Sequence, residues 1–222
     1  MMNLKGNWKM IVGIILIALL AGVGVWYFMT RDTRPYIVQH YQDVVKKMSD
    51  PTYLQQFRDY AKNNLSDPLD DLDYLGLLRW ESRHLWYPGT DTDNSYLDAN
   101  RREMPIDIVS RVGLGRCGEF SLLYFGLCKA NNIPIRLIVD NSMSLGEKLA
   151  GDHMWNEVYI NGRWIHVDPT QVSTLMQAKL PYSLWIDNPL VYQKVWNKDV
   201  NEVWTITETE TEVRDTTKRY QS

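Results

Sequence analysis

The sequence predicts an α+β fold in which a cysteine-bearing helix packs on an antiparallel sheet. An uncharged apolar run, residues 120–128, follows Cys117 and a glycine-rich turn, which is typical of a buried helix that starts near the cysteine. The pair Asn161-Gly162 separates two alternating runs, which is the strongest short signal for a β-hairpin. Apolar residues at helical spacing in residues 36–87 predict a layer of helices ahead of this core.

Length and composition indicate one globular domain. The chain has 222 residues, of which 45% are hydrophobic, and this is enough to bury one substantial core. The formal charge of −3 is weakly acidic and no basic block interrupts the sequence. A nucleic acid is therefore not expected as a partner, because its phosphates require a basic surface.

The N-terminus carries a predicted membrane anchor. Residues 10–29 are twenty residues without a charge, which as a helix would be about 30 Å long and would span a bilayer. A cleaved signal peptide is the alternative, but its apolar region is usually shorter. We expect a short tail (1–9), a single-pass anchor in the cell membrane (10–29), a linker (30–35) and a catalytic domain on the extracytoplasmic side (36–222).

Within residues 36–222 the pattern predicts a helical layer (36–87) and a catalytic core (105–220). The first helix follows Pro35, the second starts at Asp50-Pro51, and a third should run from Ser66-Asp67-Pro68 to Trp86. The remaining predicted elements, in chain order, are a polar loop at 88–104, a short helix at 106–112, the cysteine helix ending at Asn131-Asn132, a strand at 135–139, a loop at 141–152 that rims the cleft, and an edge-type strand from Val203.

Cys117 is the predicted nucleophile. It lies directly before the apolar run, so it should occupy the first turn of a helix. The positive end of the helix dipole and the unpaired backbone N–H groups there favour a thiolate over a thiol. Cys128 lies eleven residues further along the same predicted helix, roughly 16 Å away, so both cysteines should remain free thiols.

The hairpin brings a histidine and an aspartate to one face of the sheet. A two-residue Asn161-Gly162 turn pairs Trp155 with Asp168, and His153, two residues before Trp155, shares their face. His153 is then the diagonal neighbour of Asp168, with Cβ atoms about 7–8 Å apart. We expect Nδ1–H of the imidazole to reach the carboxylate while Nε2 faces a third group.

Cys117, His153 and Asp168 together predict a catalytic triad. Asp168 would orient the imidazole, and His153 would take the thiol proton and later return it to a leaving amine. The backbone N–H of Cys117 is the first oxyanion donor. The spacing does not choose between Trp80 and Trp86 for the second. Further candidates for contacts with the substrate are Arg116, Glu119 and Trp155, although Glu119 in a first helical turn is more typically an acid that matches the helix dipole.

These motifs resemble the transglutaminase-like superfamily, and most closely its peptide:N-glycanase branch. The likeness extends over residues 105–220 and rests on five segments: Gly-Arg-Cys-Gly-Glu-Phe (115–120), Leu-Cys-Lys-Ala (127–130), His-Met-Trp-Asn-Glu-Val-Tyr (153–159), Arg-Trp-Ile-His-Val-Asp (163–168) and Val-Arg-Asp-Thr-Thr-Lys-Arg-Tyr (213–220). The resemblance implies a papain-like core, a Cys-His-Asp triad formed by Cys117, His153 and Asp168, and amide chemistry without a cofactor.

One departure from that branch concerns zinc. The branch usually has two Cys-x-x-Cys pairs that bind a structural zinc ion, and this chain has only two cysteines. It has no tetrathiolate zinc site, and we expect no metal.

The expected function is a membrane-anchored thiol amidohydrolase or acyltransferase that acts on a peptide or glycoprotein through a thioester. Its substrate could be a glycosylated asparagine, the peptide bond of a cysteine protease substrate, or the glutamine of a protein-crosslinking transglutaminase. An alternative from another class is a module that binds peptide or glycan without catalysis.

Overall fold

The computed structural model describes residues 13, 17–22, 34–88, 102–110, 113–140, 153–188 and 202–215. The predicted anchor, residues 10–29, lies mainly outside these ranges, and the described part at 17–22 is helical and exposed. Within the described ranges, no helix is both long enough and apolar enough to cross a bilayer. The predicted loops at 88–104 and 141–152 also lie largely outside the described residues.

The helices of the described residues pack on the sheet and on one another. They are α1 (Arg34–Met48), α2 (Pro51–Asn64), α3 (Tyr74–His84), α4 (Pro105–Val109), α5 (Cys117–Ala130), α6 (Pro169–Gln177) and the 3₁₀ turn Ser183–Trp185. The prediction that α5 starts at Cys117 is confirmed.

A five-stranded sheet supports these helices. Its strands are β1 (Ile135–Asp140), β2 (Met154–Ile160), β3 (Arg163–Val167), β4 (Glu202–Ile206) and β5 (Thr211–Asp215), in the order β3-β2-β1-β4-β5. Every neighbouring pair is antiparallel, as the α+β prediction requires.

Helix α5 is the centre of the core. Its residues from Glu119 to Cys128 are all buried, so it is apolar on every side, as expected of a helix enclosed by other elements. The hydroxyl of Ser121 donates to the carbonyl of Met154 over 2.8 Å, which fixes α5 against β2. Gly126 allows α4 to approach, because a Cβ at this position would lie 2.3 Å from Cγ of Pro105.

The third helix starts later than predicted. Asp67 was expected to begin it, but α3 begins at Tyr74 with Asp73 as its cap, whose carboxylate accepts the N–H of Gly76 over 2.6 Å. The Asp67 carboxylate instead binds the side chains of Arg83 and His84. These partners lie 16 and 17 residues away, so local spacing could not reveal them.

Three further elements differ from the prediction. Helix α1 begins at Arg34, inside the predicted linker. Strand β4 is an interior strand between β1 and β5, whereas an edge strand was predicted from Val203. Helix α6 was not predicted at all, although Asp168-Pro169 is a standard start signal, with an acidic N-cap followed by proline in the first turn.

Candidate active site

Cys117 is the first residue of α5 and is half-buried. The backbone N–H of Arg116, the residue that precedes the helix, donates to Oε2 of Glu119 over 2.9 Å. Glu119 therefore caps the helix that presents Cys117, and its carboxylate is buried at 8% exposure. This geometry supports the helix-acid interpretation of Glu119 over a substrate contact.

The hairpin places His153 beside Asp168. The predicted register is confirmed, with Ile160 opposite Arg163 and Tyr159 opposite Trp164. Nε2 of His153 lies 2.8 Å from Oδ2 of Asp168. The prediction that Nδ1 would face the carboxylate is wrong. Strand register fixes which residues share a face, but it does not fix the rotation of an imidazole ring.

Asp168 is held by backbone groups on both sides. Its Oδ1 accepts the N–H of Gln171 over 3.2 Å and so caps α6, while Oδ2 is left for His153. Its own N–H donates to the carbonyl of Trp185 over 3.1 Å. The side chain of Asp168 is fully buried. These bonds hold the Asp168 carboxylate in place beside the His153 ring.

The His153 ring also contacts Cys117. Burial opposes the charged imidazolium, but the Asp168 charge and hydrogen bond, together with a side-chain hydrogen bond to Cys117, raise the pKa of His153 to about 10. The Asp168 carboxylate therefore favours the imidazolium form of His153.

Trp155 packs against the histidine ring. The two ring planes are 21° from parallel with centroids 5.8 Å apart, and Trp155 is only 1% exposed. Trp155 was a candidate for a substrate contact, but its burial fits a role in packing His153. Arg116, another candidate, is half-buried at the N-cap beside Cys117.

The two upstream tryptophans differ in their environment. The indole N–H of Trp80 donates to the carbonyl of Asp67 over 2.8 Å, and its side chain is fully buried. Trp80 is therefore ruled out as an oxyanion donor, which corrects that prediction. Trp86 is 45% exposed, and its backbone pairs with Gly113 and Gly115, just before Cys117. Of these two residues, Trp86 remains a candidate donor.

A buried acid behind Asp168 was missed by the sequence analysis. Glu81 is fully buried, and its Oε2 accepts the hydroxyl of Ser173 over 2.7 Å. Burial raises the pKa of Glu81 well above its usual value, and the nearby Asp168 charge adds to this effect. A signal was present, because Glu81 follows Leu77 and Leu78 at helical spacing on the apolar face of α3.

The region that contains these residues has recognisable relatives. Residues 78–169 match the family model of the transglutaminase-like superfamily, and this range includes Cys117, His153 and Asp168. This part of the chain is therefore similar to that superfamily. The fold class predicted from the sequence agrees with this match.

Two plant proteins illustrate the similarity of this chain to curated relatives. Both are peptide-N(4)-(N-acetyl-beta-glucosaminyl)asparagine amidases. The protein from Oryza sativa subsp. japonica is 36% identical over 91 residues, which is 40% of this chain and 16% of the relative. The protein from Arabidopsis thaliana is 34% identical over 108 residues, which is 48% of this chain and 12% of the relative. The chain thus spans less than a fifth of the length of either relative.

A solved structure offers a more distant likeness. A candidate cysteine protease from Cytophaga hutchinsonii is 16% identical, with a TM-score of 0.38, and the match covers 77% of this chain and 54% of that chain. A similarity at this level carries no argument about function.

Proposed function

We propose that the transglutaminase-like domain is a thiol amidohydrolase or acyltransferase in which Cys117, His153 and Asp168 act as a triad. The observation that carries the proposal is the position of the His153 ring. Its Nε2 lies 2.8 Å from a buried carboxylate, and the ring is hydrogen-bonded to a cysteine at a helix N-terminus. A nucleophile, a base and an orienting group in contact are the arrangement that nucleophilic catalysis requires.

In the first half-reaction the Cys117 sulfur attacks the carbonyl carbon of an amide while the imidazolium of His153 retains the thiol proton. The carbonyl oxygen becomes an oxyanion, which accepts the backbone N–H of Cys117 at the helix N-terminus. The C–N bond then breaks, and the leaving nitrogen takes the proton from His153. The products are an amine or ammonia and a thioester on Cys117.

In the second half-reaction neutral His153 removes a proton from water or from an acceptor amine. The resulting nucleophile attacks the thioester carbonyl, and the C–S bond breaks to return the Cys117 thiolate and the His153 imidazolium. Water yields a carboxylic acid, and an amine yields a new amide. Asp168 stabilises the imidazolium each time it forms and holds the ring in place.

The side chain of Trp86 supplies the second oxyanion donor in this proposal. The backbone N–H of Trp86 already donates to the carbonyl of Gly113 over 2.7 Å, so it is not available to a substrate. The indole side chain is 45% exposed and extends from a segment that is hydrogen-bonded to the loop preceding Cys117. An indole N–H is a donor only, which suits a developing negative charge.

For the substrate we propose the amide of a glycosylated asparagine in a peptide or glycoprotein. The names of the plant relatives specify this class of bond for those proteins. The triad itself would also serve a peptide bond or a glutamine side chain, because all three are amides attacked at carbon.

The test is incubation of the purified protein with a glycopeptide, the same peptide without glycan, and a glutamine peptide with a primary amine. Mass spectrometry then reports a released glycan with conversion of asparagine to aspartate, a cleaved backbone, or a crosslink. We expect glycan release that disappears in Cys117→Ala. Retention of the activity in that variant would remove the thioester mechanism.

Alkylation separates an enzyme from a binding module. Cys128 is fully buried and burial raises the pKa of its thiol, so it serves as the internal reference for an inert cysteine. In the native enzyme, iodoacetamide at neutral pH should label Cys117 rapidly and leave Cys128 unmodified. Equally slow labelling of both would favour a module that binds peptide or glycan without catalysis.

A further inference from the structure

Helix α6 is tied to the C-terminal end of α3 by one side chain. The amide Nε2 of Gln177 donates to the carbonyl of Ser82 over 2.8 Å and to the carbonyl of Leu85 over 2.7 Å. Leu85 is the C-cap of α3, and carbonyls at the end of a helix have no partner within the helix. Gln177 therefore satisfies two helix-end acceptors at the point where the chain turns toward Trp86.

The next residue, Trp86, is hydrogen-bonded to the loop that precedes Cys117 (residues 113–116), which we call the nucleophile loop. Trp86 donates its N–H to Gly113 over 2.7 Å and accepts the N–H of Gly115 over 3.0 Å. The buried side chain of Leu85 abuts Gly115 closely, because a Cβ on that glycine would lie 3.2 Å from a Leu85 methyl carbon. Gly115 is two residues before Cys117, so the end of α3 determines where the nucleophile loop lies.

The opposite end of α6 carries the acid of the triad. Asp168 is the N-cap of this helix, and Gln177 is its last residue. Between them, the hydroxyl of Ser173 donates to the buried Glu81 carboxyl over 2.7 Å, which gives a second link between α6 and α3. One short helix thus connects the residue that orients His153 with the segment that supports Cys117.

We infer that Gln177 is a positioning residue that couples Asp168 to the nucleophile loop through α6. The inference rests on the proposed function, since it assigns Gln177 the task of keeping the Cys117 sulfur in reach of His153. Gln177 itself contacts neither the Cys117 sulfur nor the His153 ring. Its effect passes through Leu85 and Trp86, and a displacement of about 1 Å at reacting atoms costs on the order of 100-fold in rate.

The test uses the rate of alkylation of Cys117 by iodoacetamide between pH 5 and 9 in the full chain. Gln177→Met keeps the length of the side chain and removes both donors. We expect alkylation at pH 6 to slow by about 10- to 100-fold, with a pH profile that follows the thiolate fraction of a free cysteine. Gln177→Lys restores a donor for the helix-end carbonyls and should recover most of the rate.

The matched control is Gln55→Met, which removes the exposed hydrogen bond to Asp59 on α2 and should leave the profile unchanged. Melting temperatures identify conditions in which every variant is folded. A Gln177→Met protein that is less stable yet alkylates with the wild-type profile when folded would reduce Gln177 to a structural role and overturn the inference. A wild-type Cys117 that itself reacts like a free cysteine would instead overturn the proposed function.

Discussion

Nε2 of His153 lies 2.8 Å from Oδ2 of Asp168, and the same ring is hydrogen-bonded to the side chain of Cys117. The carboxylate is fully buried and the histidine is 7% exposed, so water screens their interaction little. The contact with Asp168 therefore favours the charged form of the His153 ring.

Asp168→Asn should inactivate the site without unfolding the domain. The amide keeps the size of the side chain but removes the charge that, against burial, raises the pKa of His153 to about 10. Without it the imidazolium is no longer favoured at neutral pH. We expect kcat for amide hydrolysis to fall by about 10²- to 10⁴-fold.

Asp187→Asn is the matched control for that substitution. Asp187 lies near the same edge of the sheet and pairs with the exposed Arg163 over 2.5 Å. Its loss should leave kcat within about twofold, because exposed ion pairs contribute little. A comparable loss of activity in both variants would show that the Asp168 effect is a general response to disturbing this edge.

Glu81→Gln should alter how stability depends on pH. Burial raises the pKa of Glu81 well above its usual 4.5, so the folded protein retains a proton that the unfolded chain releases. The contribution of Glu81 to the free energy of unfolding is therefore fully present below about pH 4.5. It decreases as pH rises, by at most about 1.4 kcal/mol per pH unit. Glutamine removes that dependence.

Urea unfolding of wild type and Glu81→Gln at pH 5 and pH 8 measures the difference. The variant should gain free energy of unfolding relative to wild type at the higher pH. If the free energies of unfolding of the two proteins differed by the same amount at pH 5 and pH 8, the assignment of a protonated acid at this position would be contradicted.

Two matched substitutions separate the roles of the upstream tryptophans. Trp86→Phe removes an exposed indole N–H, and we expect kcat for amide hydrolysis to fall by about 100-fold with little change in stability. Trp80→Phe removes the buried hydrogen bond to Asp67, which should cost about 1–3 kcal/mol of stability because that carbonyl loses its donor. The folded Trp80 variant should retain its rate. The reverse pattern, a rate loss at Trp80 alone, would exclude Trp86 as the oxyanion donor.

Local sequence signals were sufficient to predict part of this fold. The start of α5 at Cys117 and the hairpin register follow from a glycine-rich turn, an apolar run and an Asn-Gly pair, each of which acts over a few residues. The late start of α3 does not follow from local signals, because the Asp67 carboxylate binds the side chains of Arg83 and His84 in the folded protein.

Within the candidate site, too, some features follow from local sequence signals and others depend on tertiary contacts. The pairing of His153 with Asp168 could be predicted because strand register sets the face. The choice between Trp80 and Trp86 could not, since sequence spacing does not reveal that Trp80 is buried and Trp86 exposed. The links made by Gln177 reach across 92 and 95 residues and leave no trace in local spacing.

The most direct measurement of the central claim is the second-order rate of Cys117 alkylation by iodoacetamide at pH 6 in wild type and His153→Gln. If His153 activates the sulfur, the wild-type rate exceeds that of the variant by at least about 100-fold. Equal rates in two folded proteins would mean that Cys117 is an ordinary thiol, and the proposed amide chemistry would be contradicted.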